Sequence, residues 1–285
     1  SESGLELVLS RSSPRDVVIT QADIDDSGNP YPLGREVLYL VPQEVRTTAI
    51  FYNKAHFRMI GRDGDDVPKT IAEFEDICRK LKATTNPRTG RAIEPIAQDG
   101  MGYMNFWWEW MVIRQIGSQA YHDTVCNVKG AGRFAGPNAD PRYLDIARRL
   151  RRWRDENFWM EGFSSSQWPA AQRDFGNGRC TFLITGTWLP AEIAGTMSTD
   201  REVFDLGCLL FPRVEPGSED NDRIQVTTQG HCVCRQGRNP QGAVLLLKYL
   251  IAAGGEPQVR KVKSICGSNG APFPQAMRQI EREMT

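Results

Sequence analysis

Trp188 is the residue of this sequence whose type and position most favour contact with a ligand. It follows Gly186 and Thr187 directly after an apolar run, 181–184, that predicts a buried strand. Ligands of α/β proteins gather at the carboxyl ends of strands. A flat indole there suits the apolar face of a sugar ring, while polar neighbours bind the hydroxyls of that ring. A place in the core is the alternative interpretation of Trp188.

A second aromatic cluster occupies 106–110, with the sequence Phe-Trp-Trp-Glu-Trp. A helix that carries three tryptophans must bury at least one of its faces, so we expect two of the three in the core. The cluster still supplies Trp107 as a candidate ligand contact.

The residues that would form a known catalytic arrangement are scarce. The three histidines are His56, His122 and His231, and the sequence contains no H-E-x-x-H, G-x-S-x-G or P-loop motif. Carboxylates are abundant but scattered, which leaves a glycosidase-type pair open. We therefore expect a binding protein and not an enzyme.

No pattern of ligands predicts a metal or cofactor. None of the seven cysteines forms a C-x-x-C pair, so we expect no zinc, and buried free thiols are favoured over disulfides. The run 23–28 resembles the start of a calcium loop, but its twelfth position is Gly34 instead of glutamate. The glycines of 130–136 are spaced one residue too far apart for a dinucleotide loop.

Charge argues against nucleic acid as a partner. The chain has 35 Lys+Arg and 35 Asp+Glu residues, so its formal net charge is zero. The basic run 148–154 lies within an amphipathic pattern and predicts a solvated helix face. The chain has no apolar run of about 18 residues that could span a membrane, and its first residues show no signal peptide.

Strand and helix patterns alternate along the chain, which predicts an α/β fold. Strands are expected at 36–41, ended by Pro42, and at 48–52, 181–184 and 208–211. Helices are expected after the capping box of Thr70 and Glu73, after Asn105, after Asp140-Pro141 and after Asn239-Pro240. The third of these helices would turn Leu144, Ala147 and Leu150 inward, and the last would place Val244, Leu247 and Ile251 in phase.

The order of four segments resembles the extracellular solute-binding proteins of sugar-type ABC transporters, the family that includes maltodextrin-binding proteins. The four segments are Val-Pro-Gln-Glu at 41–44 with Phe-Tyr-Asn-Lys at 51–54, Pro-Lys-Thr at 68–70 with Phe74, 175–188 with its Gly-Thr-Trp end, and 229–240 from Gln-Gly-His to Asn-Pro. Ile71 stands where the family usually has tryptophan, and Thr181-Phe182 stand in place of Ala-Met.

The resemblance implies a two-lobed periplasmic-binding-protein-like fold, with 1–47 and 226–285 in the first lobe and 48–225 in the second. The family has a longer first lobe on both flanks, so the first lobe is expected to be incomplete here. The residues implied to contact ligand are Glu44, Asp99, Tyr103, Trp188, Gln229 and His231.

The implied function is capture of a small polar solute, in particular a sugar, by closure of two lobes. The implied partners are the membrane subunits of an ABC transporter, and the implied location is periplasmic or extracellular. The ligand-sensing ectodomain of a membrane receptor, with a signalling domain as its partner, is an open alternative, and a carbohydrate-active enzyme is another.

Overall fold

The strands and helices are those of a computed structural model that describes residues 18–19, 37–38, 41–100, 102–137, 139–224, 227–234, 236–250 and 265–266. The strands are β1 (Val18–Ile19), β2 (Val37–Leu38), β3 (Val41–Arg46), β4 (Thr48–Asn53), β5 (Glu94–Ile96), β6 (Cys180–Gly186), β7 (Leu206–Leu209), β8 (Thr227–His231) and β9 (Ile265–Cys266). The helices are α1 (Lys54–Met59), α2 (Ile71–Lys82), α3 (Met104–Ile116), α4 (Ser118–Val125), α5 (Pro141–Asp155), α6 (Ala170–Gly176), α7 (Leu189–Glu192) and α8 (Pro240–Tyr249), with a 3₁₀ turn at Phe163–Ser165. The predicted α/β fold is confirmed.

The described residues divide into two units. The first unit contains the residues up to Thr48, the segment Gly186–Ala191 and the residues from 227 onwards, and the second contains 49–185 and 192–224. The sequence-based boundaries place 186–191 in the second lobe, but this segment is bonded to the end of β3. The Thr187 N–H donates to the Thr47 carbonyl at 3.0 Å, and the Thr47 N–H donates to Thr187 Oγ1 at 3.4 Å.

The second unit is built around a four-stranded sheet with the strand order β5-β6-β4-β7. β5 and β6 are parallel, whereas β4 and β7 are antiparallel. Every residue of β4 and β6 is buried, as expected for central strands whose two faces are both covered. The buried aromatic side chains of Phe74, Trp107, Trp153 and Phe182 fill the space beside this sheet.

The first unit contains a three-stranded antiparallel sheet with the order β8-β3-β9. The prediction that Pro42 ends a strand is wrong, because Pro42 lies inside β3. The register of β3 against β8 shifts between Pro42 and Glu44, and such an irregularity lets a strand accommodate a residue that has no N–H to donate.

Helix starts follow the predicted caps with one exception. Thr70 accepts a hydrogen bond from the Glu73 N–H at 3.2 Å, and Asp140 and Asn239 cap α5 and α8 through their side chains. α3 begins one residue before Asn105, at Met104, after Tyr103 in the left-handed conformation (φ 60°). The predicted cap at Asn105 is therefore wrong.

The predicted inner face of α5 is wrong for Leu144 and Ala147, which are exposed, whereas Leu150 packs against the core as predicted. Leu144 is 52% exposed, and the buried side chains are those of Tyr143, Ile146 and Trp153. The large rings of Tyr143 and Trp153 bury more apolar area than leucine does, so they set the rotation of the helix. The basic run on α5 pairs with carboxylates such as Asp145 and Asp155 on its outer face, as predicted.

Six cysteines of the described part are free thiols. Cys78, Cys180 and Cys208 are buried as expected, whereas Cys126, Cys232 and Cys234 are exposed. In the same residues no helix is long and apolar enough to cross a bilayer. The candidate calcium run 23–28 lies outside the described residues, as does Ile251.

Candidate functional site

Trp188 lies at the surface of the first unit, two residues beyond the end of β6, and its side chain is half-buried. A Cβ atom on Gly186 would lie 1.8 Å from Cζ3 of Trp188. The indole thus occupies the space that any other residue at 186 would fill. The guanidinium carbon of Arg46 lies 5.2 Å from the ring centroid, above the ring. The Trp188 ring is therefore neither enclosed in the core nor fully accessible to solvent.

A polar face surrounds Glu44 on the β3–β8 ribbon of the first unit. Glu44 lies directly opposite Gln229 in the ladder, so their side chains share a face. His231 follows Gln229 by two residues and therefore lies on the same face. Gln229 and His231 are exposed, whereas Glu44 is 9% exposed.

Arg46 connects this polar face to Trp188, a role that was not predicted from the sequence. Its guanidinium forms an ion pair with the Glu44 carboxylate, and the two side chains share a face because they are two residues apart on one strand. We call the set of Glu44, Arg46, Trp188, Gln229 and His231 the first-unit polar face. The alternation of β3 and the closeness of Arg46 to Glu44 were visible in the sequence, but the contact with Trp188 was not.

Asp99 lies in the second unit and is only 3% exposed. Its Oδ1 accepts hydrogen bonds from Ser166 Oγ at 2.5 Å and from the Ala171 N–H at 3.1 Å. These contacts fix the first turn of α6 and the segment before it against the loop that follows β5. They make Asp99 a residue that positions this loop.

Tyr103 ends the same loop and is half-buried. Its ring stacks on that of Phe106, with the centroids 5.2 Å apart and the planes 11° apart. Gly100 packs against the carbonyl oxygens of Phe163 and Ser164, where a Cβ would lie within 2.7 Å of both. The backbone before Tyr103 is thereby held in place, which presents a partly accessible aromatic ring at the loop's end.

Trp107 is placed in the core, with 0% of its surface exposed. Its Nε1 donates to Gln98 Oε1 at 3.1 Å, and its ring meets those of Phe74, Trp153 and Phe211. A fully enclosed indole has no surface left for a ligand, so the interpretation of Trp107 as a ligand contact needs correction. Because Trp110 is buried too, two of the three tryptophans of α3 belong to the core, as expected.

The second unit also contains a polar cavity of about 960 Å³ at the amino ends of β5 and β6. Its lining includes Lys82, Arg91, Glu94, Trp159 and Arg179. Arg179 Nη2 donates to Glu94 Oε1 at 3.0 Å inside it. Asp99 and Tyr103 follow the opposite, carboxyl end of β5, so this polar cavity is separate from them and is a second candidate ligand site.

The described residues contain no group of three or more His, Cys, Asp or Glu side chains that could hold a metal ion.

The sequence matches the family model of bacterial extracellular solute-binding proteins over residues 5–257. No curated protein matches the sequence. The fold is similar to those of several solved binding proteins. One is a chitin oligosaccharide binding protein, with 18% identity and a TM-score of 0.71 over 98% of this chain and 65% of that one. The chain thus spans 65% of the length of that relative.

Two further neighbours come from Bifidobacterium and Streptococcus. A manno-oligosaccharide-specific solute binding protein from Bifidobacterium animalis subsp. lactis, in complex with mannotriose, is 16% identical with a TM-score of 0.57. That match covers 95% of this chain and 62% of the neighbour. The protein RafE from Streptococcus pneumoniae is 15% identical with a TM-score of 0.62, over 99% of this chain and 70% of that one.

Proposed function

The chain belongs to the family of bacterial extracellular solute-binding proteins, and from that membership we propose that it captures a small sugar outside the cytoplasm for delivery to an ABC permease. The match of the family model over residues 5–257 supports the binding function. The family and the structural neighbours are binding proteins, which favours this proposal over a sensor ectodomain or a carbohydrate-active enzyme. Closure of two lobes around the solute, implied by the family resemblance, is part of the proposal.

The single observation that carries the sugar as ligand is the half-buried indole of Trp188 beside the first-unit polar face. An indole offers an apolar plane for the C–H face of a pyranose. Carboxylate, amide and imidazole groups offer donors and acceptors for the hydroxyls. Glu44, Gln229 and His231 supply one of each kind within the same unit.

A thermal-shift screen tests the proposal. The sugar panel follows the ligands of the structural neighbours, namely chitin oligosaccharide, β-D-galactopyranose, mannotriose, mannobiose and raffinose. Amino acids and linear polyols serve as the comparison set. A true ligand raises the melting temperature by an amount that grows with its concentration relative to Kd.

We expect at least one sugar to stabilise the protein and the comparison set to leave it unchanged. Isothermal titration calorimetry then confirms stoichiometric binding, and thin-layer chromatography of the incubated sugar confirms that it is not cleaved. Stabilisation by amino acids alone would contradict the sugar proposal, and cleavage of a glycoside would contradict the binding role.

A further inference from the structure

The indole of Trp188 is partly covered by a side chain of the protein itself. The Arg46 guanidinium carbon lies 5.2 Å from the ring centroid, within the range of a cation–π contact. The six-membered edge of the indole lies against Gly186, where a Cβ would be 1.8–2.2 Å from three of its carbons. The ring is thus held along this edge, and a planar cation occupies its surface.

Arg46 is tethered in this position by two features. Its guanidinium is ion-paired with Glu44, a residue that is 9% exposed and therefore little screened by water. The paired hydrogen bonds between Thr47 and Thr187 fix the distance between the end of β3 and the turn that carries Trp188. Arg46 and Trp188 are consequently neighbours through both backbone and side chain.

A sugar ring and a guanidinium use the same surface of an indole. Both are flat or nearly flat on the contacting side, and both gain from closeness to the aromatic plane. One face of one indole can hold only one of them at a time. A sugar that stacks there must therefore first displace Arg46.

We propose that Arg46 is a built-in cover of the Trp188 stacking face that competes with the sugar and so sets the affinity of the site. This inference rests on the proposed function, because it concerns the same site. Besides offering its carboxylate to the hydroxyls, Glu44 then also lowers affinity indirectly, by retaining the guanidinium over the ring. A cation–π contact at a partly exposed site is weak enough to be displaced and strong enough to lower affinity measurably.

The first arm of the test needs no ligand. Acrylamide quenching of Trp188 fluorescence is obtained as the difference between each variant and the same variant carrying Trp188→Phe. Removal of the cover in Arg46→Ala should increase the quenching constant of Trp188. Arg58→Ala, which breaks an exposed ion pair with Asp205 in the second unit, is the matched control and should leave it unchanged. Equal quenching of Trp188 in wild type and Arg46→Ala would contradict the proposal that Arg46 covers the ring.

The second arm measures binding of the panel sugar that the wild-type protein holds most tightly, by isothermal titration calorimetry. Arg46→Ala should bind it roughly 2- to 30-fold more tightly, which corresponds to the strength of the lost cation–π contact. Arg46→Lys retains the charge but loses the planar stack, so its affinity for the sugar should lie between those of the wild-type protein and Arg46→Ala. In the Trp188→Ala background, Arg46→Ala should have no effect.

Weaker or unchanged binding by Arg46→Ala overturns the inference, and weaker binding would make the guanidinium a ligand-binding group instead. The same gain with and without Trp188 also overturns it, because the effect would then not pass through the indole. If the wild-type protein binds no panel sugar, the proposed function fails, and the quenching arm still decides whether Arg46 covers the ring.

Discussion

At the scale of single residues, the first-unit polar face depends on the indole of Trp188, which is neither buried in the core nor fully exposed. Trp188 is presented by a turn directly after β6, and Gly186 leaves the room that its ring occupies. If the ring stacks on a sugar, removing it should affect binding far more than folding. If the ring mainly stabilises the fold of the first unit, removing it should affect folding far more than binding.

We expect Trp188→Ala to weaken sugar binding by about 2–4 kcal/mol, roughly thirtyfold to thousandfold, as for a central aromatic contact. Calorimetry gives Kd, and a urea titration of the same variant gives its stability. Trp168→Ala removes an indole that is 57% exposed in the second unit and is the control. Loss of stability with unchanged Kd would show that Trp188 is structural.

Arg91→Ala separates the two candidate sites, because Arg91 lines the polar cavity of the second unit. Calorimetry with the same sugar should give an unchanged Kd. If this variant abolishes binding while Trp188→Ala does not, the ligand lies in the polar cavity.

Gly186→Ala tests the same indole without removing it. The new methyl group would overlap the ring, and such overpacking costs about 1–3 kcal/mol of folding stability, so the ring should shift and affinity, measured by calorimetry, should fall. Gly195→Ala is the control, since a Cβ at that position would have no atom within 4 Å. Equal affinities of the two variants would show that the position of the ring does not matter.

The sequence predicted Trp188 because its signal is local: a buried strand, a turn and an aromatic residue follow one another. Arg46 gave no comparable signal, since its role arises from the meeting of β3 with a turn far along the chain. Trp107 was a wrong candidate for the opposite reason. Composition marked the cluster on α3 as notable, but only tertiary packing decides which face of a helix is enclosed.

At the scale of elements, α2 and α5 are joined by one buried polar contact. Trp153 Nε1 donates to Glu75 Oε1 at 2.7 Å, and Arg149 and Arg152 flank the same carboxylate at 3.5 and 3.9 Å. The Trp153 side chain is fully buried, so its indole N–H depends on Glu75 as an acceptor. Loss of that acceptor should loosen the packing of the two helices.

We expect Glu75→Ala to lower the free energy of unfolding by about 1–3 kcal/mol, the cost of a buried donor left without a partner. Glu75→Gln keeps an acceptor oxygen and loses only the flanking ion pairs, so it should cost no more than about 1 kcal/mol. Urea titrations followed by fluorescence compare the two variants. Equal losses would show that charge, and not the hydrogen bond, stabilises this contact.

Caps were the most predictable feature of the elements, since each rests on a few adjacent residues, as at Thr70 and Asp140. The rotation of α5 was not predictable from leucines alone. Tyr143 and Trp153 lie on the face that meets the aromatic core, and their burial leaves Leu144 in solvent. Which face of a helix is buried depends on its largest side chains and on the other elements against which they pack.

At the scale of the whole molecule, the folding stability at acidic pH depends on a buried histidine of the second unit. His56 is 0% exposed, and its Nδ1 lies 2.9 Å from Thr181 Oγ1. Burial lowers the pKa of His56 from 6.5 to about 4, although the backbone of Gly178 opposes this shift. The unfolded chain therefore takes up a proton at a pH where the folded one does not.

The stability that neutral His56 contributes is present above pH 6.5 and is lost as the pH falls from 6.5 towards 4, by about 3 kcal/mol in all. Unfolding free energies between pH 4 and 7 measure this loss. Tryptophan fluorescence suits the measurement, because six of the seven tryptophans lie in the second unit.

His56→Gln should reduce the change of the unfolding free energy with pH between pH 4 and 6.5. Asp140 and Asp220 act at lower pH, because hydrogen bonds from Arg142 and Ser118 hold the pKa of each carboxyl below its usual value. An identical slope in wild type and His56→Gln would rule out His56 as the cause.

The α/β character of the molecule was predictable, because it follows from alternating strand and helix patterns. The assignment of 186–191 to the first unit was not. β6 is one continuous buried strand, and nothing in its sequence marks where its neighbours change from one unit to the other.

The strand order of the first unit also has a consequence for synthesis on the ribosome. β3 pairs with β8 and β9, and nearly the whole second unit lies between them in the chain. At about 5–20 residues per second, β3 waits roughly 10–40 s for β8 to be made. The second unit can complete its sheet in that interval. During this interval β3 lacks both strands with which it pairs among the described residues, and an exposed strand edge of this kind is a site of aggregation in a nascent chain.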